Sequence, residues 1–102
     1  MNVTKLESNI LKYVLVRSRS TDIIYFAKIR ELIGKSEEEV SFPNSVKTIE
    51  DLIVFLKNHN KIYHNVFENY DFLIACDEEL VDMNYEINKT KEIAIFPPVT
   101  GG

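Results

Sequence analysis

Two apolar runs of strand length, Ile23-Ile24-Tyr25-Phe26-Ala27-Lys28-Ile29 and Glu92-Ile93-Ala94-Ile95-Phe96, stand far apart in the chain with its best helix signal between them. They are the most continuously apolar stretches, and such runs belong at the centre of a sheet. Side by side there they must run parallel, because a long crossover separates them. The helix opens at Thr48-Ile49-Glu50-Asp51. Thr48 can cap the free N–H groups, Glu50 and Asp51 complement the positive end of the dipole, and Ile49, Leu52, Ile53 and Leu56 form one apolar stripe. That stripe is expected to pack on the sheet.

The remaining segments fill in around this frame. The first run ends in the polar Arg30-Glu31 and then Gly34, a turn or helix C-terminal glycine. Glu38, Val40 and Phe42 alternate with Glu37, Glu39 and Ser41, which predicts a second strand stopped by Pro43-Asn44-Ser45 and forming a hairpin with the first. A short helical turn is expected at Ile62–Phe67, a strand at Phe72–Cys76, a turn at Asp77-Glu78 and a short strand at Glu79–Val81. The loop Asn84–Lys91 carries no glycine, which leaves its conformation open. The sum is an α+β, β-grasp arrangement of the ubiquitin type, a mixed sheet wrapped around one main helix. Residues 1–21 read as an N-terminal extension, 22–96 as the β-grasp domain and 97–102 as an extended tail.

Composition excludes several classes. A chain of 102 residues with 45% apolar content makes one domain with one modest core. The single cysteine, Cys76, excludes an internal disulfide framework and is expected to be a small buried hydrophobe. No apolar run has the length of a membrane span, so no membrane association is expected and a cytoplasmic site is the default. The extension holds Lys5, Lys12, Arg17 and Arg19 against Glu7 alone, so the net charge of −4 comes wholly from the remainder. An acidic body is a poor partner for nucleic acid and a better one for basic protein surfaces.

His59 and His64 lie in a polar connecting stretch and read as surface residues. The acidic runs Glu37-Glu38-Glu39 and Asp77-Glu78-Glu79 match no calcium-loop spacing and read as a solvated strand edge and a turn. No metal site is expected. With no phosphate-binding loop, dinucleotide glycine pattern or serine elbow, catalysis within the chain alone has no foothold.

The tail carries the chemistry instead. Phe96-Pro97-Pro98-Val99-Thr100-Gly101-Gly102 joins a strand to two fixed-φ residues that favour an extended exit, and then to two residues without Cβ atoms that can enter a narrow channel. The carboxylate of Gly102 is expected to be the working group, presented by Pro97, Pro98, Val99, Thr100 and Gly101.

Residues 25–34, Val46-Lys47-Thr48-Ile49-Glu50-Asp51-Leu52 and Ile93-Ala94-Ile95-Phe96 with the tail resemble the first strand and turn, the helix entry and the terminus of the small, sulfur-carrying subunits of molybdopterin synthase, the MoaD family. The likeness spans roughly residues 22–102. A Gly-Gly end is shared with ubiquitin-like modifiers and with the sulfur carriers of thiamine synthesis and tRNA thiolation, whereas the preceding Phe-Pro-Pro-Val-Thr is more particular to the molybdopterin branch. The resemblance implies a carrier cycle with no bound cofactor. An E1-like adenylyltransferase would consume ATP to adenylate Gly102, and a sulfur donor would replace AMP to leave a thiocarboxylate. Within a heterotetramer with the large subunit, the thiocarboxylate would give its sulfur to cyclic pyranopterin monophosphate. It also implies a partner-binding set of Phe26 and Arg30 on the first strand and at its end, Leu80 and Phe96. Two alternatives stay open: a carrier of the same fold for another thiolation or for protein modification, and a non-catalytic interaction module.

Overall fold

The computed structural model describes residues 18–99. In chain order the elements are β1 (Ser18–Tyr25), α1 (Ala27–Ile33), β2 (Glu37–Pro43), α2 (Ile49–His59), α3 (Lys61–Asn69), β3 (Leu73–Cys76), β4 (Glu79–Val81) and β5 (Glu92–Phe96). The sheet order is β2-β1-β5-β3-β4. β1 and β5 lie side by side and parallel, from Asp22 opposite Glu92 to Tyr25 opposite Ile95, as the two apolar runs require. β1 and β2 pair antiparallel as expected, although the link between them holds a helix rather than a hairpin turn, and β3 is antiparallel to both β5 and β4.

One face of the sheet is closed. Ile23 and Tyr25 of β1, Ile74 and Cys76 of β3, and Ile93 and Ile95 of β5 point into a single core with Ile49, Leu52, Ile53 and Leu56 of α2. α1 adds Ile29 and Ile33, and α3 adds Tyr63, Val66 and Phe67. α2 starts where its cap predicts: Thr48 Oγ1 accepts from the Asp51 N–H at 3.1 Å, and Asp51 Oδ2 accepts from the Thr48 N–H at 3.1 Å. This reciprocal box satisfies donors that the first helical turn leaves free. Asp51 also accepts from the Lys47 N–H, and these backbone donors hold its carboxyl below the usual range.

Three expectations need correction. The run Ile23–Ile29 is not one strand: β1 stops at Tyr25, and Ala27–Ile33 is helical, so Phe26 caps a helix and Arg30 lies within it. The signal was the spacing of Ile29 and Ile33, four apart and both buried, which is a helical stripe rather than a strand alternation. Ala27 breaks the strand with φ near +50°, and Gly34 closes the helix at φ +85°. The domain also begins earlier than residue 22, because β1 starts at Ser18 and Arg19 to Thr21 pair with Phe42 to Val40. Residues 1–17 of the expected extension lie outside the described residues. Finally, Ile62–Phe67 is the middle of a longer helix, α3, whose N-cap Asn60 accepts from the Ile62 N–H at 2.7 Å.

Two turns position the far half of the sheet. Asp77 and Glu78 both take positive φ, 47° and 72°, the geometry of a tight two-residue hairpin loop. The Asp77 carboxylate accepts from the N–H groups of Lys91 and Glu92, tying that turn to the start of β5. In the glycine-free loop before β5, Asn88 supplies the left-handed residue at φ 41°, and buried Ile87 anchors the loop through its N–H to Lys47 O. Asparagine tolerates that conformation better than most residues.

Candidate functional site

The centre of the sheet delivers the tail. β5 is hydrogen-bonded on both sides, which fixes Phe96 opposite Leu73. The Phe26 N–H donates to Ile95 O at 3.0 Å, so the end of β1 and the end of β5 are joined immediately before the exit. Pro97 has no N–H to extend the ladder. Pro97 and Pro98 are half-buried, and Val99 is 88% exposed. Thr100, Gly101 and Gly102 lie outside the described residues.

Alternation places the side chains around this root. Phe96 is out of phase with buried Ile93 and Ile95, so it faces away from the helices, and Leu73 does the same relative to Ile74 and Cys76. Leu80 pairs with Ala75, on the same outer face, and is 66% exposed. Phe26 is 44% exposed, with Arg30 exposed one helical turn away. None of Phe26, Leu80 and Phe96 belongs to the buried core. They do not form one tight cluster. Phe26 follows β1 and Leu80 lies on β4, three strand spacings away or about 14 Å, with Phe96 and Leu73 between them. Leu73 is the residue that sequence reasoning missed, although its position one residue before Ile74 puts it out of phase with the buried Ile74 and Cys76.

Behind the root sits a polar cluster that the sequence did not announce. Glu38 of β2 points inward, and its Oε2 accepts from the hydroxyls of Tyr25, at 2.7 Å, and of Tyr63. Lys35 donates to the other oxygen at 3.1 Å. Burial works against ionising Glu38, but the donors Tyr63, Tyr25 and Lys35 outweigh it and hold the carboxyl below its ordinary value. Burial first, and then the hydrogen bond to Glu38, push Tyr25 and Tyr63 up. The cluster bonds β1, β2 and α3 together one residue before Phe26.

Nothing else among the described residues competes as a reactive site. Burial pushes the Cys76 thiol up to about 11, so it is a protonated core side chain. His59 and His64 are exposed. Among the described residues, no group of three or more His, Cys, Asp or Glu side chains could hold a metal ion. No described helix is long and apolar enough to cross a membrane. A concavity of about 1000 Å³ is lined by residues such as Arg19, Asp77 and Lys91 at the opposite end of β5 from the tail.

Comparison with known proteins converges on the same segment. Residues 23–102 match the model of the ThiS family. The molybdopterin synthase sulfur carrier subunit of Dictyostelium discoideum is 36% identical over 88 residues, covering 83% of this chain and 99% of that protein. Among solved structures, a putative molybdopterin converting factor subunit 1 from Pyrococcus furiosus superposes with a TM-score of 0.60 at 29% identity, over 78% of this chain and 98% of that one. A complex of subunits 1 and 2 of the molybdopterin-converting factor from Helicobacter pylori 26695 contains a chain of the same fold, with a TM-score of 0.55 at 18% identity, over 82% of this chain and 100% of that one.

Proposed function

The chain belongs to the ThiS family, and from that membership we propose that it is the sulfur carrier subunit of molybdopterin synthase, acting through the carboxyl group of Gly102. The observation that carries the reading is the direct passage from the central strand β5, through Phe96, into the Pro97-Pro98-Val99 stalk, half-buried at its prolines and exposed at Val99. β5 is paired on both sides, so the stalk leaves from a fixed root.

The carboxylate is a poor electrophile. Its oxygen attacks the α-phosphorus of ATP on an E1-like adenylyltransferase, pyrophosphate leaves, and the resulting mixed anhydride has a good leaving group. A sulfur donor then forms the acyl–sulfur bond as AMP departs. A thiocarboxylic acid is far more acidic than an alkyl thiol, so the terminus is an anionic sulfur nucleophile at neutral pH without a neighbouring base. In the large subunit the sulfur attacks a carbon of cyclic pyranopterin monophosphate, and water then cleaves the acyl–sulfur bond of the resulting thioester, which leaves the sulfur on the pterin and returns the carboxylate to Gly102. Acid–base groups for that step belong to the partner, consistent with a described surface that holds no catalytic constellation of its own.

Reach limits where partners bind. The six residues after Phe96 span at most about 20 Å when fully extended. Any active site that receives Gly102 therefore lies close to the tail root, and Phe26, Arg30, Leu80 and Phe96 are the side chains available there for the large subunit. Val99 supplies an apolar contact within the stalk, and Thr100 and Gly101 complete the slim insertion segment.

Intact-mass measurement tests the cycle. The full chain incubated with its activating enzyme, ATP and a sulfur source is expected to exchange one oxygen for one sulfur at Gly102. Deleting Gly102 or appending one alanine is expected to abolish loading and sulfur transfer while leaving thermal stability unchanged. Undiminished transfer by either variant would refute the reading.

A further inference from the structure

The two ends of β5 are fixed in different ways. At its start, the Asp77 carboxylate takes the N–H groups of Lys91 and Glu92 directly. At the tail end the neighbouring chain has little local support. Phe26 caps α1 without a side-chain hydrogen bond, the first turn of α1 holds no acidic residue, and Ala27 takes a positive φ. Behind that junction stands Tyr25, which pairs with Ile95 across the sheet and is 1% exposed. Its N–H donates to Ser36 O at 2.8 Å and its hydroxyl to Glu38 Oε2 at 2.7 Å, so one residue closes the excursion from β1 through α1 to β2.

The ties continue round to the other neighbour of β5. Tyr63 of α3 donates to the same Glu38 oxygen as Tyr25. Its ring lies 6.4 Å from those of Tyr25 and Phe67, and Phe67 meets Phe72 edge-on at 5.1 Å. Such spacings are those of favourable aromatic pairs. Phe72 immediately precedes Leu73, the residue opposite Phe96. A continuous set of contacts therefore runs from Glu38 through both tyrosines and along α3 to the strands on either side of the tail root. Removing a carboxylate from water offsets much of what its donors return, so such a group fixes geometry more than it adds stability.

We propose that Glu38 is a positioning residue for the sulfur-bearing tail: through Tyr25 and Tyr63 it holds the strand ends that flank β5, so that the stalk leaves the sheet in one direction. The proposal rests on the carrier reading. Leverage makes the root matter. A tilt of about 10° there swings the tip of a ~20 Å stalk through roughly 3 Å, and misplacing a reacting group by ~1 Å can cost about 100-fold in rate. A root held in one orientation also leaves less freedom to be lost when the tail enters a partner. Glu38 lies two strands from β5 and points to the helix-covered side, so altering it leaves the side chains available for docking in place. Its effect therefore falls on transfer rather than on attachment.

Hydrogen exchange and single-turnover sulfur transfer, both on the full chain, test the proposal. In Glu38→Gln the Phe26 N–H that donates to Ile95 O is expected to exchange ~10-fold faster, while the Ile87 N–H bonded to Lys47 O, at the far end of β5, is unchanged. With the large subunit saturating, transfer from the loaded variant is expected to slow ~10-fold while affinity changes by less than ~2-fold. Tyr25→Phe, which removes one hydroxyl and keeps the ring, is expected to slow transfer ~3-fold with the same split. Ile49→Val serves as the control, a core truncation at the start of α2 beside the loop that precedes β5. It is expected to lower the melting temperature and to leave Phe26 exchange and transfer as they are. Equal acceleration at Phe26 and Ile87, or slowing by Ile49→Val as large as that by Glu38→Gln, would make Glu38 a merely structural residue and overturn the proposal. Undiminished transfer by both Glu38→Gln and Tyr25→Phe would overturn it while the carrier function stands. If the loaded, unaltered chain transfers no sulfur, the carrier reading itself fails and the proposal with it.

Discussion

Each strand at the centre of this sheet gives alternate residues to opposite faces. Ile93 and Ile95 are fully buried against the helices, whereas Ala94 and Phe96, their immediate neighbours in β5, stand on the uncovered face. β3 divides in the same way, with Ile74 and Cys76 inside and Leu73 and Ala75 outside. Both faces carry apolar side chains, with different consequences. Burying Ile93 removes an aliphatic side chain from water permanently, worth about 2 kcal/mol. An exposed Leu80 stabilises nothing until something covers it. The comparison separates the residues that hold the body together from those free to meet a partner, within one five-residue strand.

Truncations test that separation most sharply. Ile93→Ala is expected to cost about 3 kcal/mol in urea unfolding, because it removes buried methyl groups and leaves a cavity in a packed core. Leu80→Ala is expected to change unfolding by less than about 0.5 kcal/mol while weakening attachment of the large subunit. Equal destabilisation by the two would erase the distinction between the faces.

The next effect lies where the inner face meets the edge strand. Glu38→Gln is expected to cost about 2 kcal/mol, since the Tyr25 and Tyr63 hydroxyls lose a charged acceptor. Its pH dependence has a definite sign. The folded carboxyl lies below the unfolded value near 4.5, so its contribution is present above that value and is lost as pH falls through the folded one. Tyr25 and Tyr63 are shifted up from 10.0, so their contribution is present below that value and is lost as pH rises above it. Thermal melts of the unaltered chain and the variant should therefore differ most between these limits and converge on the acid side. A constant difference down to pH 2, well beneath the ordinary carboxyl range, would show that Glu38 acts by shape rather than charge.

What the sequence revealed follows the range of the forces involved. Thr48 and Asp51 are three apart, and the capping box they form is complete in the local chain, so helix α2 was legible to its first residue. The parallel pairing of β1 and β5 was legible because the crossover leaves no other direction. Glu38 was not. It sits in an acidic run that reads as a solvated edge, and the phenols that draw it inward come from positions 13 residues earlier and 25 later. Tail-root exposure fell between these cases: periodicity divides β5 into two faces but does not say which the helices cover. Phe96 and Leu80 were named as partner contacts through resemblance, and Leu73, also exposed and between them in space, was missed because no resemblance pointed to it.

The smallest effects concern how the chain passes from one face to the other. α1 begins just after Phe26, on the exposed side, and carries Ile29 and Ile33 into the core. Both ends of that short helix use a left-handed residue, Ala27 at φ 50° and Gly34 at φ 85°. Gly34 suits its place. A Cβ there would meet nothing within 4 Å, so the cost of Gly34→Ala is backbone strain alone, about 1 kcal/mol. Ala27 bears the same strain with a Cβ already present. Replacing it by glycine relieves about 1 kcal/mol or slightly more, against roughly 0.5–1 kcal/mol for the added freedom of the unfolded chain. Ala27→Gly is therefore expected to be neutral or to stabilise by a few tenths of a kcal/mol, where the same change in an ordinary helix would cost up to about 1 kcal/mol. A loss of that ordinary size in urea unfolding would mean that Ala27 holds a right-handed conformation, and the turn that keeps Phe26 outside while Ile29 goes in would need another cause.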